Sequence, residues 1–272
     1  MTSRLQNTLI YAVLTIAAVI MLYPIAYTLS AAMMTNAESA TYPPRLLPGS
    51  LNFENYLSVL QLIPVGRFIA NSFFVSGVIM IGQLITASMA AYAFAFLRFK
   101  GKSAWFALFM STMMIPWEVT IIPNYLTVKS WGWLDTYQLD RSVPRYGVRN
   151  FLLRQFFLQL PGELFEAAKI DGCGHLRSFF RLVLPLSRPA LATLGVYSFL
   201  THWNMYLWPL LITNGEAMRT VQIGISMLQF EEMTSWNLVL AGVVMVMLPT
   251  LVLLALGLKQ LVQGMTAGAV KG

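Results

Sequence analysis

EAAKIDGCGHLRSFFRLVLPLSRP, residues 166–189, differs in character from most of the chain around it. The stretch holds two acids, five bases when His175 is counted, two glycines and two prolines. The whole chain of 272 residues is 57% hydrophobic and 11% charged, whereas a soluble globular domain carries about a quarter charged residues. The composition therefore predicts an all-α membrane protein of one bundle, with a soluble-type segment inside it.

Five apolar segments are long enough to cross the hydrocarbon as helices, which takes about 20 residues each. They are residues 9–29, 68–96, 105–125, 191–212 and 238–261. Pro116 is expected to break the third of them. The first is too long for the core of a signal peptide, so it is predicted to be a retained span.

Basic residues are concentrated in alternate loops of this topology. With the N-terminus inside, the loop of Arg98, Lys100 and Lys102, the region 154–188 and the C-terminal tail all fall on the inner side. Because cytoplasmic loops carry an excess of Lys and Arg, this bias predicts six crossings with both termini in the cytoplasm. The net charge of +7 is then explained by these loops rather than by nucleic-acid binding.

The segment 138–158 takes the place of the fourth span, but its composition does not suit one. Arg141, Arg145 and Arg149 would all lie at membrane depth. Each costs about 2.5–3.5 kcal/mol at the centre of a helix. The three together cost on the order of 8–10 kcal/mol, offset in part by snorkelling. Without this span, however, the basic region 154–188 would lie on the wrong side of the membrane.

The coding sequence offers one explanation of these arginines. Codons for DRSVPRYGVRNF, residues 140–151, can be chosen so that reading one nucleotide later gives TVPFLATAFGTF, an apolar run that joins LLRQFF in register. We therefore hypothesise two compensating frame changes across residues 140–150, which would leave the fourth span impaired. The nucleotide sequence tests this hypothesis, because codons that cannot produce the shifted reading would refute it.

Motifs for phosphate, nucleotide and metal binding are incomplete. GKS at 101–103 lacks the first glycine of a phosphate-binding loop, because Phe96 stands in its place. His175 and His202 have no Cys, Asp or Glu at ligand spacing, and a single cysteine cannot form an intrachain disulfide. The sequence therefore predicts no catalytic residue, no metal site and no enzyme activity. Energy for any transport would come from another chain or from an ion gradient.

The soluble-type segment is predicted to begin with a short helix. Glu163 and Glu166 suit its N-terminal end, where the helix dipole favours carboxylates. Ala167 and Ala168 would leave a smooth surface, and Gly172 permits the left-handed turn that stops the helix.

A second short helix, 174–183, is predicted to follow. Pro185 and Pro189 would end it and restart the chain into the fifth span. The result is a cytoplasmic helix pair within the loop 159–190. Such a pair fits two roles, docking in a groove of another protein or lying as an amphipathic loop on lipid headgroups.

The same stretch resembles the EAA motif of ABC importer permeases, which runs E-A-A, three residues, a glycine and, further on, L-P. The matching residues are Glu166, Ala167, Ala168, Asp171, Gly172, Leu184 and Pro185. The stretches FIANSFFVS, MMIPWEVTIIPNY and WNMYLWPLL are similar to the carbohydrate-uptake subgroup, the permeases of maltose-type and glycerol-3-phosphate-type importers.

The resemblance implies the type I ABC importer permease fold, with six transmembrane helices and a cytoplasmic coupling helix in the loop 159–190. It also implies that the loop docks into a cytoplasmic ATPase through Glu166, Ala167, Ala168, Asp171 and Gly172. Closure of the ATPase on ATP would then switch the pathway from outward-facing to inward-facing.

The implied assembly contains a second homologous permease, two ATPase subunits and an extracytoplasmic solute-binding protein, in the lipid of the inner membrane. ATP would be bound by the separate subunit, so no cofactor is expected in this chain, and no nucleic-acid partner is expected. Residues 1–272 would form one multi-pass permease domain. The subgroup implies a sugar, an oligosaccharide or glycerol-3-phosphate as the solute.

Two groups of residues are candidates for the substrate pathway. Glu118 lies near the outer end of the third span, where an ionisable group is either functional or a solvated helix end. Trp203, Asn204 and Tyr206 in the fifth span offer rings and an amide to a sugar, or they form part of an interfacial aromatic belt. Pro209 is expected to kink this span.

Two other functions compete with the importer permease. One is an ion-coupled secondary transporter, although the sequence shows no inverted repeat and few intramembrane acids. The other is a membrane scaffold or sensor subunit that binds a cytoplasmic partner and transports nothing. Solute uptake with and without the ATPase gene separates the three functions.

Overall fold

The computed structural model describes residues 4–136, 146–229 and 235–266, and these residues form helices and loops without a β-strand. The α-helices, in chain order, are α1 (Arg4–Ala31), α2 (Asn36–Ser39), α3 (Glu54–Leu62), α4 (Val65–Phe96), α5 (Lys102–Ser111), α6 (Trp117–Ser130), α7 (Tyr146–Phe157), α8 (Gly162–Ile170), α9 (His175–Ser178), α10 (Leu184–Leu186), α11 (Arg188–Trp203), α12 (Leu207–Ile212), α13 (Val221–Met227) and α14 (Trp236–Thr266).

Among the described residues, three helices are long and apolar enough to cross a membrane, and two bent helix pairs meet the same test. The single helices comprise Gln6–Ala31, Val65–Phe96 and Trp236–Ala255. The pairs are Lys102–Met114 with Trp117–Ser130, and His175–Leu186 with Arg188–Trp203. Each of the five apolar segments identified in the sequence therefore overlaps one of these candidates.

The break that Pro116 predicts in the third segment is present. The chain bends by 94° between Lys102–Met114 and Trp117–Ser130. Pro116 caps α6 with ψ of 137°, and Ile115 before it is also extended, with ψ of 115°. A residue that precedes proline is disfavoured in the helical region, so the bend is a direct result of the sequence.

The predicted kink at Pro209 is wrong in its position. The kink in the segment 191–212 was expected at Pro209 itself, but α11 ends at Trp203 and α12 begins at Leu207. Pro209 is the third residue of α12, where the first turn of a helix tolerates a missing backbone N–H. The break therefore precedes the proline and does not lie at it.

The fourth segment is described only in part. Residues 137–145, with Arg141 and Arg145, lie outside the described residues, and α7 covers Tyr146–Phe157. The Arg149 side chain, which the sequence places at membrane depth, is buried within the protein at 6% exposure.

The chain divides into two compact units, of which the first comprises Met1–Ile69 and Val221–Pro249. Its polar interior centres on Asn55 of α3. The Asn55 amide donates to the carbonyl oxygens of Ala32 and Met34, both at 2.8 Å, and accepts from the Asn237 amide at 3.0 Å. These bonds satisfy carbonyls just beyond the end of α1, where a helix leaves its last carbonyls without partners.

The second unit comprises Ala70–Thr220 and Thr250–Gly272. One apolar cluster joins α4 to the loop 159–190 through Ala91, Tyr92, Phe157 and Phe179. Another joins α6 to α12 and is formed by Ile121, Val128, Trp208 and Ile212.

A carboxylate links two loops of this second unit. Asp135 has a φ of +55°, and its carboxylate accepts from the backbone N–H groups of Asn214 at 2.6 Å and Gly215 at 2.7 Å. These N–H bonds, that of Gly215 foremost, hold the pKa of Asp135 below its ordinary value, and the charge of Arg219 lowers it further.

Candidate functional site: the loop 159–190 and the pathway residues

The first helix of the loop 159–190 ends as the sequence predicts, at Gly172. This glycine has a φ of +70°. The Gly172 N–H donates to the Lys169 carbonyl at 3.0 Å, and the Cys173 N–H donates to the Ala168 carbonyl at 2.8 Å. This pair of bonds is the Schellman motif, which closes a helix and needs a left-handed residue at this position.

Four of the five predicted coupling residues lie on the surface. Glu166, Ala167, Asp171 and Gly172 are exposed, whereas Ala168 is 7% exposed and faces the interior. The expected smooth surface of two alanines is therefore formed by Ala167 alone. The physical reason is helical periodicity, because adjacent residues on a helix do not share a face.

The tip of the loop carries two exposed apolar side chains that the sequence analysis did not single out. Ile170 is 87% exposed, and Leu176 is 75% exposed. They lie on either side of the Gly172 turn. Their positions in the sequence could have indicated this exposure. Ile170 lies two residues before Gly172 and Leu176 four residues after it, inside a charged segment.

The second half of the loop differs from the single helix that was expected. It is α-helical at His175–Ser178, widens into a π-helix at Phe179–Val183 and returns to α-helix at Leu184–Leu186. Pro185 has no N–H to donate to the carbonyl four residues before it. A wider turn before Pro185 accommodates this loss, and π turns occur as such local insertions.

Aromatic side chains hold the loop against the end of α4. The Phe165 and Phe96 rings lie 4.3 Å apart between centroids, and the Tyr92 ring packs edge-on against Phe179 at 5.2 Å. The Tyr92 hydroxyl donates to the His175 carbonyl oxygen at 3.1 Å. Both halves of the loop are thus fixed to the same helix, α4, through the rings of Phe96 and Tyr92.

The predicted pathway residues are divided between exposed and buried positions. Trp203 is 1% exposed, and its ring lies 4.9 Å from Phe73 and 5.8 Å from Phe199. Asn204 and Tyr206, in the break after α11, are exposed, as is Glu118 in the first turn of α6. The Trp203 ring therefore fills the interior and does not share a surface with Asn204 and Tyr206, while its role in the pathway stays a prediction.

A buried polar cluster lies one turn before Trp203. The Ser198 hydroxyl donates to the Gln83 side-chain oxygen at 2.6 Å, and the Gln83 amide lies 3.3 Å from His202 Nε2. His202 Nδ1 lies 2.6 Å from the Ser198 carbonyl oxygen. A proton on Nδ1 suits this carbonyl and leaves Nε2 to accept from Gln83. His202 thus connects α11 to α4 within the protein.

The sequence model of one family, described as binding-protein-dependent transport system inner membrane component, matches residues 62–260. The chain belongs to this family. It is an inner-membrane permease subunit of the ABC type, it spans the membrane several times, and it works with a solute-binding protein. Such permeases are transport subunits and not enzymes.

Curated relatives match this permease over nearly its whole length. It is 35% identical over 271 residues to the sn-glycerol-3-phosphate transport system permease protein UgpE of Rhizobium meliloti, covering 96% of both chains. It is 34% identical over 261 residues to the protein of the same description in Yersinia pestis, covering 93% of both.

Two solved structures share the fold of the permease. A chain of a bacterial ABC transporter involved in the import of the acidic polysaccharide alginate has a TM-score of 0.77 at 24% identity, covering 95% of this chain and 98% of that one. A chain of bacterial alginate ABC transporter in complex with an alginate pentasaccharide-bound periplasmic protein has a TM-score of 0.67 at 15% identity, with 98% and 96% coverage. These similarities confirm an ABC importer permease fold.

Proposed function

We propose that the loop 159–190 couples this permease to a cytoplasmic ATPase. The observation that carries the proposal is the exposed tip between α8 and α9, where the polar Glu166 and the apolar Ala167, Ile170 and Leu176 are all exposed. Exposed apolar side chains on a rigid turn fit a groove in a partner protein. The sequence Glu166–Gly172 supports an ATPase as that partner, because it resembles the EAA motif.

The packing of the loop supports a mechanical role. A force on α8 would pass to α4 through the Phe165–Phe96 ring contact. A force on α9 would reach the same helix through Tyr92 and its bond to the His175 carbonyl. Closure of the ATPase would move the loop 159–190 and α4 together, and this movement would tilt the bundle from an outward-facing to an inward-facing state.

The proposed assembly pairs this chain with a second homologous permease and two ATPase subunits. The ATPases bind ATP, so this chain contributes no cofactor. Six crossings, with residues 138–158 providing the fourth, would leave both termini and the loop 159–190 in the cytoplasm. The excess of basic residues on that side supports this orientation.

The proposed solute is a sugar or a glycerol-3-phosphate-like molecule. The names of the relatives support it, since they include permeases for sn-glycerol-3-phosphate and a transporter for alginate. Glu118, Trp203, Asn204 and Tyr206 remain the proposed pathway residues. Asn204 and Tyr206 are exposed and suit direct contact, while the buried Trp203 would act by holding the helix that precedes them.

Two glycines of the same turn give a matched test of the coupling role. An added Cβ meets nothing within 4 Å at either Gly172 or Gly174. Gly172 has a φ of +70°, whereas Gly174 has a φ of −71° and a ψ of 169°, which any residue adopts. Gly172→Val should therefore cost about 1–2 kcal/mol in the turn, and Gly174→Val should cost much less.

The measurement is co-purification of the ATPase with the tagged permease from native membranes, together with solute uptake. We expect Gly172→Val to reduce both and Gly174→Val to leave both near the parent level. Equal ATPase recovery with the two variants would refute docking through this turn. Uptake that persists after deletion of the ATPase gene would indicate a secondary transporter, and an ATPase bound without any uptake would indicate a scaffold.

A further inference from the structure

A second site lies at the C-terminal end of α4, the end against which the loop 159–190 also packs. Phe94 of α4, Lys102, Ser103 and Phe106 of α5, and Arg154 of α7, together with Ala107, line a pocket of about 170 Å³. This volume is well above the ~10–15 Å³ that a cavity needs to hold one water molecule. The lining combines two cations and a hydroxyl with two aromatic rings.

Both cations are held in place by carbonyls at the C-terminal end of α4 and just beyond it. Lys102 Nζ donates to the carbonyl oxygens of Ala95 at 3.2 Å and Leu97 at 3.0 Å. Arg154 Nε donates to the Phe94 carbonyl oxygen at 3.1 Å, and its guanidinium carbon lies 4.4 Å from the centre of the Phe106 ring. Positive charge at a helix C-terminus is favourable, so the fold itself fixes these two groups beside each other.

The two positive charges are not neutralised within the described part of the chain. In residues 4–136, 146–229 and 235–266, the recorded ion pair joins Arg45 to Glu38, and no carboxylate lies within 4.0 Å of the Lys102 or Arg154 nitrogens. The terminal nitrogens of Arg154 make no hydrogen bond to those residues. A planar fork with free donors, an ammonium group and a hydroxyl form a donor set that suits a phosphate.

An apolar pocket adjoins the cationic one and shares Phe94 with it. Its other walls are Phe99, Trp105, Leu108, Phe109 and Thr112, and its volume is about 490 Å³. Trp105 and Leu108 are more than half exposed. A ligand that fills both pockets carries a negative phosphate at one end and hydrocarbon at the other.

We propose that this double pocket binds an anionic phospholipid of the inner leaflet, with its phosphate on Lys102, Ser103 and Arg154 and an acyl chain along Phe99 and Trp105. Basic pockets between membrane helices on the cytoplasmic side bind anionic headgroups. The site rests on the proposed orientation, which places the loop 97–102 in the cytoplasm. A lipid at this site bridges the start of α5 and the end of α4, the helix against which the loop 159–190 packs.

The test is native mass spectrometry of the purified permease complex, titrated with phosphatidylglycerol or with phosphatidylcholine of the same chains. The Lys102→Gln/Arg154→Gln double variant is compared with Arg98→Gln/Lys100→Gln, which removes two exposed charges from the same region. Since Lys102 and Arg154 also bind carbonyls of α4, Ala107→Phe provides a variant that fills the pocket and keeps both charges. A parallel titration adds inorganic phosphate as a competitor.

We expect the complex to bind phosphatidylglycerol more tightly than phosphatidylcholine. Each of the two charges should contribute about fivefold to the affinity for phosphatidylglycerol. The Lys102→Gln/Arg154→Gln variant should therefore bind this lipid about 25-fold more weakly, and Ala107→Phe should also weaken its binding. An equal loss in the Arg98/Lys100 variant would overturn the site in favour of diffuse attraction. Unchanged binding by Ala107→Phe would overturn the lipid as its ligand, and inorganic phosphate that binds more tightly than phosphatidylglycerol would overturn it in favour of a free phosphate. Lipid binding is measured without ATP or solute, so it fails or succeeds independently of the coupling role.

Discussion

The turn at Gly172 and the turn at Asp135 both hold a residue with positive φ, at +70° and +55°. At Gly172 the residue has no side chain, the backbone bonds of a Schellman motif close the turn, and the neighbouring rings hold the loop on α4. At Asp135 the side chain itself accepts two N–H groups from the loop after α12.

The two turns differ in whether their surface remains available to a partner protein. Glycine adopts the left-handed conformation without strain, so the tip around Gly172 remains available to a partner. Asp135 adopts it at a cost that its two hydrogen bonds offset, and its polar atoms are then occupied within the protein. The first turn depends on packing and the second on one charged group.

The largest expected effect comes from removing the packing that supports the Gly172 turn. Tyr92→Ala deletes a buried ring at 7% exposure, which should cost about 3–5 kcal/mol of unfolding free energy. Tyr197→Ala is the control, because Tyr197 is 55% exposed. Denaturation of both variants in detergent measures the difference. Similar stability of the two would show that the loop does not depend on these rings.

Asp135→Ala should cost less, about 1–2 kcal/mol, because it removes two hydrogen bonds to a charged group at the surface. Asp135→Gly loses the same bonds but also removes the left-handed strain. We therefore expect the glycine variant to be the more stable of the two, by about 1 kcal/mol. The same denaturation measurement checks this order, and the reverse order would mean that strain at Asp135 is negligible.

A smaller effect should follow from Tyr92→Phe, which keeps the ring and removes only the hydroxyl bonded to the His175 carbonyl. The expected loss is about 1 kcal/mol. If ring packing carries the coupling force, uptake per ATP hydrolysed should stay near the parent level in Tyr92→Phe and fall in Tyr92→Ala. A fall of the same size in both variants would assign the force to the hydrogen bond.

The smallest expected effect is a dependence on pH at the Asp135 turn. The Asp135 carboxyl has a pKa below its ordinary value of 3.8. Its hydrogen bonds therefore contribute fully to the stability of the turn above pH 3.8. The contribution is lost as the pH falls below 3.8 through the lower pKa of the folded state. Hydrogen exchange of the Asn214 and Gly215 amides in this range should speed up in the parent chain and show no such step in Asp135→Ala.

Local rules predicted the parts of this molecule that depend on neighbours in sequence. The left-handed Gly172, the break before Pro116 and the apolar segments follow from backbone chemistry and length. The EAA resemblance gave the family, which the comparisons confirm, while its docking role remains a prediction.

Contacts between distant segments could not be predicted in the same way. The burial of Ala168 and Trp203 depends on which helix face meets the rest of the second unit. Asp135 belongs to no motif, and its role exists only because residues 214–215 lie beside it. The cationic pocket likewise arises because Arg154 and Lys102, about fifty positions apart in sequence, bind carbonyls of one helix end.

The break between α11 and α12 has a consequence for solvation. Within the segment 191–212, residues 204–206 leave the helical ladder, and lipid cannot supply hydrogen bonds to backbone groups outside it. Several of these groups find partners within the protein: the Asn204 backbone N–H donates to the Leu200 carbonyl at 3.1 Å, as the Asn204 side-chain amide does at 2.9 Å, and the Met205 N–H donates to the His202 carbonyl at 3.1 Å. In the proposed pathway, the exposed side chains of Asn204 and Tyr206 would face water, and a water-filled passage through the bilayer would run along them.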